Sequence, residues 1–552
     1  MTPQEALAAM IADSGATHFF HVPVFAHHAM SRLIELGVTP VVTHGEKAAA
    51  YMADGYARVS GRPGLCGAQA IGGTNLAAGL RDAYLARTPV IAFTGGPRAE
   101  TRHRNVYQEH DDMPVFDRLT KFNAVIDRGE RLPDLVRQAY RAATSGVPRP
   151  VHLELAGAVG DAVGGEAADG EAVLDARYTR APAVRAPAEP EAVRKAAALL
   201  AEARRPLVLI GGGVKRSGAE AVLAGFADRW GLPAVASLNG LGVLPEQHPL
   251  WAGVVGSYAR DEANTALAEA DAVLVVGSSL GSMTTRNFTL PAAGCPVAHI
   301  DIDPEEAGRG RRGVIPLVGD ARTVLEQLDG RMSARTPEPW RARVSRLRAR
   351  WRERAGAVEA GDHPSLRPES LWRAVSDALP GDAIVVADTG HAGAWSARHL
   401  HLGPGHAFIR AAGSLGWALP AAIGAKCAAP ERPVVCLTGD AGFYYHVAEL
   451  ETARRYGVNI VVVVNDNAGM NQEAVLWREG TPEERNWRFE PVDLAAVAAS
   501  FGCHGQVVEK ADQVAGALAA ALASGRPAVV DARTDPAVVA PTVHTEAAGN
   551  RS

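Results

Sequence analysis

Cysteine is scarce in this chain and does not group. The five residues (Cys66, Cys295, Cys427, Cys436 and Cys503) are scattered, odd in number and without the spacing of a structural metal site. That pattern argues against a disulfide framework and for reduced thiols in a cytoplasmic protein. No apolar run approaches the roughly 18 residues of a membrane span, and residues 1–15 lack a signal-peptide pattern. Neither sign of charge dominates: 56 Lys and Arg stand against 61 Asp and Glu, a formal charge of −5, which gives no electrostatic case for a nucleic-acid partner. A short-period repeat is also missing. What remains is the composition of an ordinary globular protein, 47% hydrophobic and 21% charged. Its 552 residues are too many for one core, so about three domains are expected.

Short β-rich runs alternate with helical patterns almost throughout, which predicts an α/β fold of parallel sheets covered by helices. Three blocks stand out. The first, 1–160, carries runs at 17–23, 39–45, 63–69, 88–96 and 150–156; a Gly-, Ala- and Pro-rich linker follows over 160–190. The second, 190–335, carries runs at 205–214, 232–238, 271–280 and 295–304. The charged stretch 341–356 after it reads as a solvated helix or linker. The third, 365–540, carries runs at 383–388, 432–440, 459–466 and 526–532, and the tail from about 541 is expected to be disordered. Three doubly wound parallel-sheet domains are the expected fold.

The densest information lies between Val434 and Met470. An apolar strand runs into Asp440, Ala441 and Gly442; a helix is expected over 445–457; a second apolar strand ends in Asn465, Asp466 and Asn467. Parallel strands joined by a right-handed crossover would place Asp440 and Asn467 together at their carboxyl ends, where open α/β sheets bind ligands. That edge offers two hard oxygen ligands of the kind Mg²⁺ takes beside phosphates. Gly439, Ala441 and Gly442 are small enough for backbone amides to approach a phosphate, and a helix starting after Gly442 would add its dipole. Taken singly, an Asp that ends a strand is more often structural than a ligand. In order and spacing, however, Gly439-Asp440-Ala441-Gly442-Phe443, Glu449-Leu450 and Asp466-Asn467 resemble the motif of thiamine-diphosphate-dependent enzymes, Gly-Asp-Gly followed by an Asn-Asn pair. The resemblance implies thiamine diphosphate as cofactor and Mg²⁺ held by Asp440, the Asn467 side chain and the Gly469 carbonyl. Two positions depart from it: Ala441 stands for Gly and Asp466 for Asn. Ala leaves the turn possible, whereas the charge of Asp466 has no assigned role.

Such a cofactor reacts through a carbanion at C2 of its thiazolium ring, and it needs a carboxylate that hydrogen-bonds the aminopyrimidine. Glu46 follows the run 39–45 and opens a helix. Alone it is a helix-start Glu favoured by the dipole; the stretch His44 to Arg58 resembles the family's Glu-bearing segment and implies the catalytic role. Gly413-Ser414-Leu415-Gly416 resembles the stretch whose bulky residue folds the cofactor. This implies Leu415 as the prop and the Gly413 carbonyl as the partner of the pyrimidine amine; without the resemblance Leu415 is a core leucine. Asp388-Thr389-Gly390-His391 looks like the loop that approaches the diphosphate. The resemblance covers nearly the whole chain. It implies a homodimer or homotetramer in which the pyrimidine-binding block of one subunit meets the diphosphate-binding block of another.

Which reaction is run is less legible. Ala70-Ile71-Gly72-Gly73-Thr74-Asn75-Leu76 stands where acetolactate synthases have Gly-Pro-Gly-Ala-Thr-Asn-Leu, so Asn75 is kept. Val106-Tyr107-Gln108-Glu109-His110 resembles the stretch whose Gln faces substrate, which makes Gln108 the substrate-side candidate and His110 a lesser one. His27 and His28 either form a partly exposed structural pair or line the pocket mouth. Trp477 lies near the place of a selectivity Trp, but Asn471 to Leu476 does not align cleanly with that pattern. Gly211-Gly212-Gly213 and His299 to Pro304 could cradle FAD or another nucleotide, or be tight turns of a vestigial nucleotide fold. The leading expectation is an acetolactate-synthase-like carboligase or decarboxylase of a 2-keto acid or related carbonyl. A lyase or decarboxylase of the 2-hydroxyacyl-CoA or benzaldehyde lyase kind is the alternative. A dehydrogenase or binding protein is disfavoured, because no Gly-x-Gly-x-x-Gly opens the middle block.

Overall fold

Strands buried on both faces need apolar residues without alternation, and the runs of Val, Ile, Leu and Ala supply them. The computed structural model describes residues 1–167, 170–361, 363–474, 476 and 480–541. The tail expected to be disordered lies outside these residues apart from Pro541, and Trp477 lies outside them too. The first sheet contains β1 (His18–His21), β2 (Thr39–Val42), β3 (Gly64–Ala68), β4 (Val90–Gly96), β5 (Asn123–Ile126) and β6 (Val151–Ala156). The second contains β7 (Pro206–Ile210), β8 (Ala234–Ala236), β9 (Trp251–Val254), β10 (Ala272–Val276), β11 (Val297–Asp301) and β12 (Val314–Val318). The third contains β13 (Ile384–Ala387), β14 (Ala407–Arg410), β15 (Val434–Gly439), β16 (Val461–Asp466), β17 (His504–Val508) and β18 (Ala528–Arg533).

All three sheets are parallel, with helices flanking them. The first and third share one strand order, β2-β1-β3-β4-β6-β5 and β14-β13-β15-β16-β18-β17. In the third sheet the order reverses between β13 and β15, which leaves a crevice at their carboxyl ends. The central sheet runs β9-β8-β7-β10-β11-β12, the doubly wound order of nucleotide-binding folds, with its switch point between β7 and β10.

Every strand that the sequence pattern did not reveal (β5, β9, β12, β14 and β17) is an edge strand. Four of them are half exposed along much of their length and so lack a continuous apolar run. β9 is buried but broken by Gly253 at φ +119° and by an irregular register against β8. The charged stretch after the second block is a helix, one of its two expected forms, but one of its faces is buried rather than solvated. It belongs to the helix Glu338–Glu359, which buries Trp340, Val344, Leu347, Trp351 and Ala355 along one stripe. Three of these join the core under the central sheet, while Arg343 pairs with Glu269 on the helix Asp261–Glu269. Among the described residues no helix is long and apolar enough to cross a membrane.

The first and third domains dock through two helices, Glu46–Ser60 and Ala418–Ala428, whose apolar residues belong to one continuous core. Their crossing is closer than side chains allow. A Cβ on Gly55 would stand 2.1 Å from the Ala421 carbonyl oxygen, and one on Gly424 would stand 1.9 Å from that of Met52. Gly55→Ala is therefore expected to destabilise the protein by about 1–3 kcal/mol through overpacking. Gly356→Ala, in open space on the helix Glu338–Glu359, should be neutral or slightly stabilising. Thermal unfolding of the two variants side by side measures this, and equal midpoints would contradict the crossing.

Candidate functional site

β15 and β16 run in parallel register with Gly439 opposite Asn465, so Asp440 and Asn467 leave the sheet on one edge. The single helix expected over 445–457 is in fact two, Asp440–Tyr445 and Glu449–Arg455, and the first starts on Asp440 itself rather than after Gly442. Asp440 accepts its Ala441 N–H at 2.7 Å through one oxygen and the Gly469 N–H at 2.8 Å through the other. Ala468, at φ +54°, turns the chain back for that second bond, and Asp466 accepts the Ala468 N–H at 3.0 Å. Burial and then the Asp466 charge push the Asp440 carboxyl up to about 7. The same two causes raise Asp531 to about 7. The unexpected acid at 466 thus concentrates negative charge behind the edge.

A cavity of about 220 Å³ opens over this edge. Gly390 and His391 from the loop after β13, Leu415, Gly439, Asp440, Ala441, Gly442, Asn467 and Gly469 all line it. The Oδ1 atoms of Asn465 and Asn467 are buried without a donor, as is Nε2 of His391 without a partner. Burial holds the His391 imidazole neutral, with its pKa lowered to about 4. A buried polar atom left unpaired costs roughly 1–3 kcal/mol. The orphaned Asn467 oxygen and Asp440 could hold a hard divalent cation that also binds a diphosphate. Such an arrangement could fix an anionic ligand at the switch point.

The remaining candidates gather elsewhere. Glu46 is the first residue of its helix, after an extended Gly45, and accepts from Asn75 Nδ2 at 3.2 Å. Gly72 makes room for it: a Cβ there would stand 2.5 Å from the other Glu46 oxygen. Gln108, at φ +62°, accepts the Ile71 N–H at 3.3 Å and donates to Gln69 at 3.4 Å. Glu46, Asn75 and Gln108 are thereby brought together around residues 69–75. His110 pairs with Asp112 at 2.9 Å, and His27 and His28 lie exposed at the start of the helix His27–Glu35. No described residue of the first domain lines the cavity over the third sheet.

Leu415 is gripped on both sides by carboxylates. Asp82, on the helix Gly73–Ala86, accepts the N–H groups of Ala412, Gly413 and Ser414 at 2.9–3.2 Å, and Arg58 donates to it at 3.0 Å. Gly413 does not itself line the cavity; this bond fixes it next to it. Asp388 accepts from the N–H groups of Thr389 and Gly416 and from the Thr438 hydroxyl. Burial lifts the Asp388 carboxyl to about 6 against those bonds. Arg58 also pairs with Asp54, which accepts from Trp417 Nε1 at 2.9 Å. All three aspartates are fully buried. Sequence reasoning missed Asp54 and Asp82, although a charge among Leu76, Ala77, Leu80 and Ala83 on a buried helix face is a signal. Tyr258, from the loop after β9, also lines the cavity and carried no such signal.

Parallel sheets with a crevice at a switch point, lined by groups that could hold a cation and a phosphate, fit a cofactor-dependent α/β enzyme. Comparison with known families narrows this. Residues 1–115 match the N-terminal TPP binding domain of thiamine pyrophosphate enzymes, 193–328 their central domain, and 388–532 their C-terminal TPP binding domain. A probable acetolactate synthase large subunit of Methanocaldococcus jannaschii is 32% identical over 93% of this chain and 88% of its own length. The large subunit of acetolactate synthase isozyme 2 of Escherichia coli is 32% identical over 91% and 90%. A probable 2-ketoarginine decarboxylase of Pseudomonas aeruginosa is 33% identical over 91% and 89%. The chain belongs to the thiamine pyrophosphate enzyme family; it is an acetolactate-synthase-like, thiamine-diphosphate-dependent enzyme that forms or cleaves carbon–carbon bonds.

Because Asp82 ties the Leu415 loop to the first domain, Asp82→Asn should loosen both. A hydrogen bond to a charged group contributes about 1.5–3 kcal/mol, and a loss of that size is expected. Denaturant unfolding measures it; an unchanged midpoint would mean that the loop is held by other contacts.

Proposed function

We propose that this enzyme is a carboligase or decarboxylase acting on a 2-keto acid or related carbonyl compound. The reading rests on the cavity over the third sheet, which carries Asp440, the orphaned Asn467 oxygen, His391 and Leu415. Thiamine diphosphate, when bound, would supply nucleophilic chemistry at C2 of its thiazolium ring. Asp440, Asn467 and the Gly469 carbonyl hold Mg²⁺; Gly390, His391, Gly439, Ala441 and Gly442 approach the diphosphate. Leu415 would support the cofactor, and the Gly413 carbonyl would accept from its pyrimidine amine. Glu46 holds the proton at the pyrimidine ring, Asn75 orients that carboxylate, and Gln108 faces the substrate. No described residue of the Glu46 cluster lines the cavity within one chain, which supports a homodimer or homotetramer whose second copy brings the two together. The five unpaired cysteines, four of them buried, favour a reducing cytoplasm.

The central domain offers room for a second cofactor, FAD or another nucleotide. A cavity of about 290 Å³ at the meeting of the three domains is lined by Lys215, Arg216 and Arg410. No carboxylate among the described residues forms an ion pair with any of the three. Burial lowers Lys215 to about 7 and Arg216 to about 9. Lys215 donates to the carbonyls of Leu241 and Phe408, and Arg216 to that of Ala86, so all three domains meet here. Phosphates would supply the missing charge. Gly211 and Gly213 also have a purely structural reason, since a Cβ on either would strike Gly277.

Incubating the protein with thiamine diphosphate, Mg²⁺, pyruvate and a panel of aldehydes, with products identified by mass spectrometry, tests the reaction. Decarboxylation with or without transfer to a second carbonyl is expected, slowed by roughly 10²–10⁴-fold in Glu46→Gln. Carbon–carbon cleavage of a 2-hydroxy compound without turnover of any keto acid would replace this reading by the lyase. Denaturing the same preparation should release a bound nucleotide; an empty supernatant even after loading with FAD would remove that part.

A further inference from the structure

The loop after β4, residues 97–112, carries Gln108 in a backbone conformation that its own side chain does not secure. His103, Asn105 and Gln108 all stand at positive φ, +66°, +56° and +62°. Residues other than glycine enter that region only where their surroundings impose it. The Gln108 amide is held loosely. Its bonds to the Ile71 N–H and to Gln69 Oε1, at 3.3 and 3.4 Å, are long for hydrogen bonds. The loop backbone, more than the amide's own contacts, therefore sets where that side chain lies.

Three carboxylates shape that backbone. Glu154, 2% exposed on β6, takes Arg102 at 3.4 Å and ties the near arm of the loop to the sheet. Asp112, itself buried, takes His110 Nδ1 at 2.9 Å at the far end. Between them Glu109 closes the turn. One of its oxygens accepts the His103 N–H and the other the Val106 N–H at 3.1 Å, while its own N–H donates to the Val106 carbonyl at 3.0 Å. These bonds, that from His103 foremost, hold the Glu109 carboxyl below the usual carboxylate range, so it stays ionised. N–H groups bind a charged acceptor roughly twice as strongly as a neutral one. None of these bonds involves Glu46, and Glu109 does not line the cavity over the third sheet.

We infer that Glu109 is the positioning residue for Gln108, holding the loop in the left-handed path that presents the amide to the substrate. The inference deepens the proposed function and rests on its reading of Gln108. Without the Glu109 carboxylate the N–H groups of His103 and Val106 turn to water, the turn opens, and Gln108 leaves its place while Glu46 keeps its own. A small misplacement of a group that orients substrate can cost about a hundredfold in rate. Glu109 thus acts on the substrate-dependent step and leaves proton exchange at the cofactor to Glu46.

A double-mutant cycle on protein loaded with thiamine diphosphate and Mg²⁺ tests this. Gln108→Ala, Glu109→Ala and the double variant are compared in kcat/KM for whichever of pyruvate, 2-ketobutyrate and benzoylformate the wild type turns over fastest. Glu109→Ala should lose about ten- to a hundredfold, and Glu109→Gln, which keeps one acceptor, should lose less. The double variant should lose no more than Gln108→Ala alone. Losses that multiply would show that Glu109 acts independently of Gln108 and would overturn the inference. Hydrogen–deuterium exchange at cofactor C2 should keep the wild-type rate in Glu109→Ala; slower exchange would mean that the substitution reaches Glu46, which also contradicts it. Backbone amide exchange over residues 103–108, read without substrate, should quicken by about tenfold or more in Glu109→Ala and far less in Gln108→Ala. Unchanged exchange in Glu109→Ala would overturn the inference whatever the activity. Full activity in Gln108→Ala would remove the reading of Gln108 and the inference with it, a result distinct from losses that multiply.

Discussion

Where Gly55 and Gly424 face the opposite helix, backbone meets backbone, and the first and third domains lock at a fixed angle. Asp82 extends that contact by taking three amides of the Leu415 loop while paired with Arg58. A buried carboxylate on one domain therefore shapes a loop on another. Asp388, on the loop's own domain, holds its other side through the Gly416 N–H. Removing one partner of such a buried pair leaves the other charge uncompensated, a far larger effect than loss of an exposed ion pair. No described residue of the first domain lines the cavity that holds Asp440, and the proposed second copy rests on this observation.

Charge is distributed unevenly among the cavities. Over the third sheet, Asp440, Asp466 and Asp531 crowd together; burial raises Asp440 and Asp531, and the Asp466 charge raises both further. Burying several carboxylates side by side is unfavourable unless a cation joins them. Between the domains the imbalance is reversed, with Lys215, Arg216 and Arg410 facing open space. On the proposed reading the first cavity takes a metal with the cofactor's diphosphate, and the second takes phosphates. The first lies at a sheet switch point, where the strand order itself opens a crevice.

Much of this was legible in the residues. Interior strands announce themselves because both their faces are buried, and Gly439-Asp440 with Asp466-Asn467 fixed the edge on which a ligand would sit. Edge strands such as β14 and β17 did not, because half their side chains meet solvent. The helix Glu338–Glu359 hid its apolar stripe among arginines. Asn75 was legible as a motif residue, but its bond to Glu46 needed the fold. Tyr258 illustrates the remaining limit: it reaches the site from a different domain, and no local pattern connects it to Asp440. Asp82 was readable in principle as a charge on an apolar helix face, yet its three amide partners lie more than three hundred residues away.

The central claim is that one chain supplies Glu46 and another supplies Asp440 to each site. Mixing subunits tests it most directly. Glu46→Gln and Asp440→Ala protein, each inactive alone, would be dissociated, combined in equal amounts, reassociated and assayed for turnover. If sites are shared across a two-fold interface, mixed dimers contain one site with both residues intact, and about a quarter of wild-type activity should return. If each chain built its own site, every site in the mixture would lack one residue. Activity no higher than that of the separate variants, in a mixture shown to contain mixed dimers, would contradict the account.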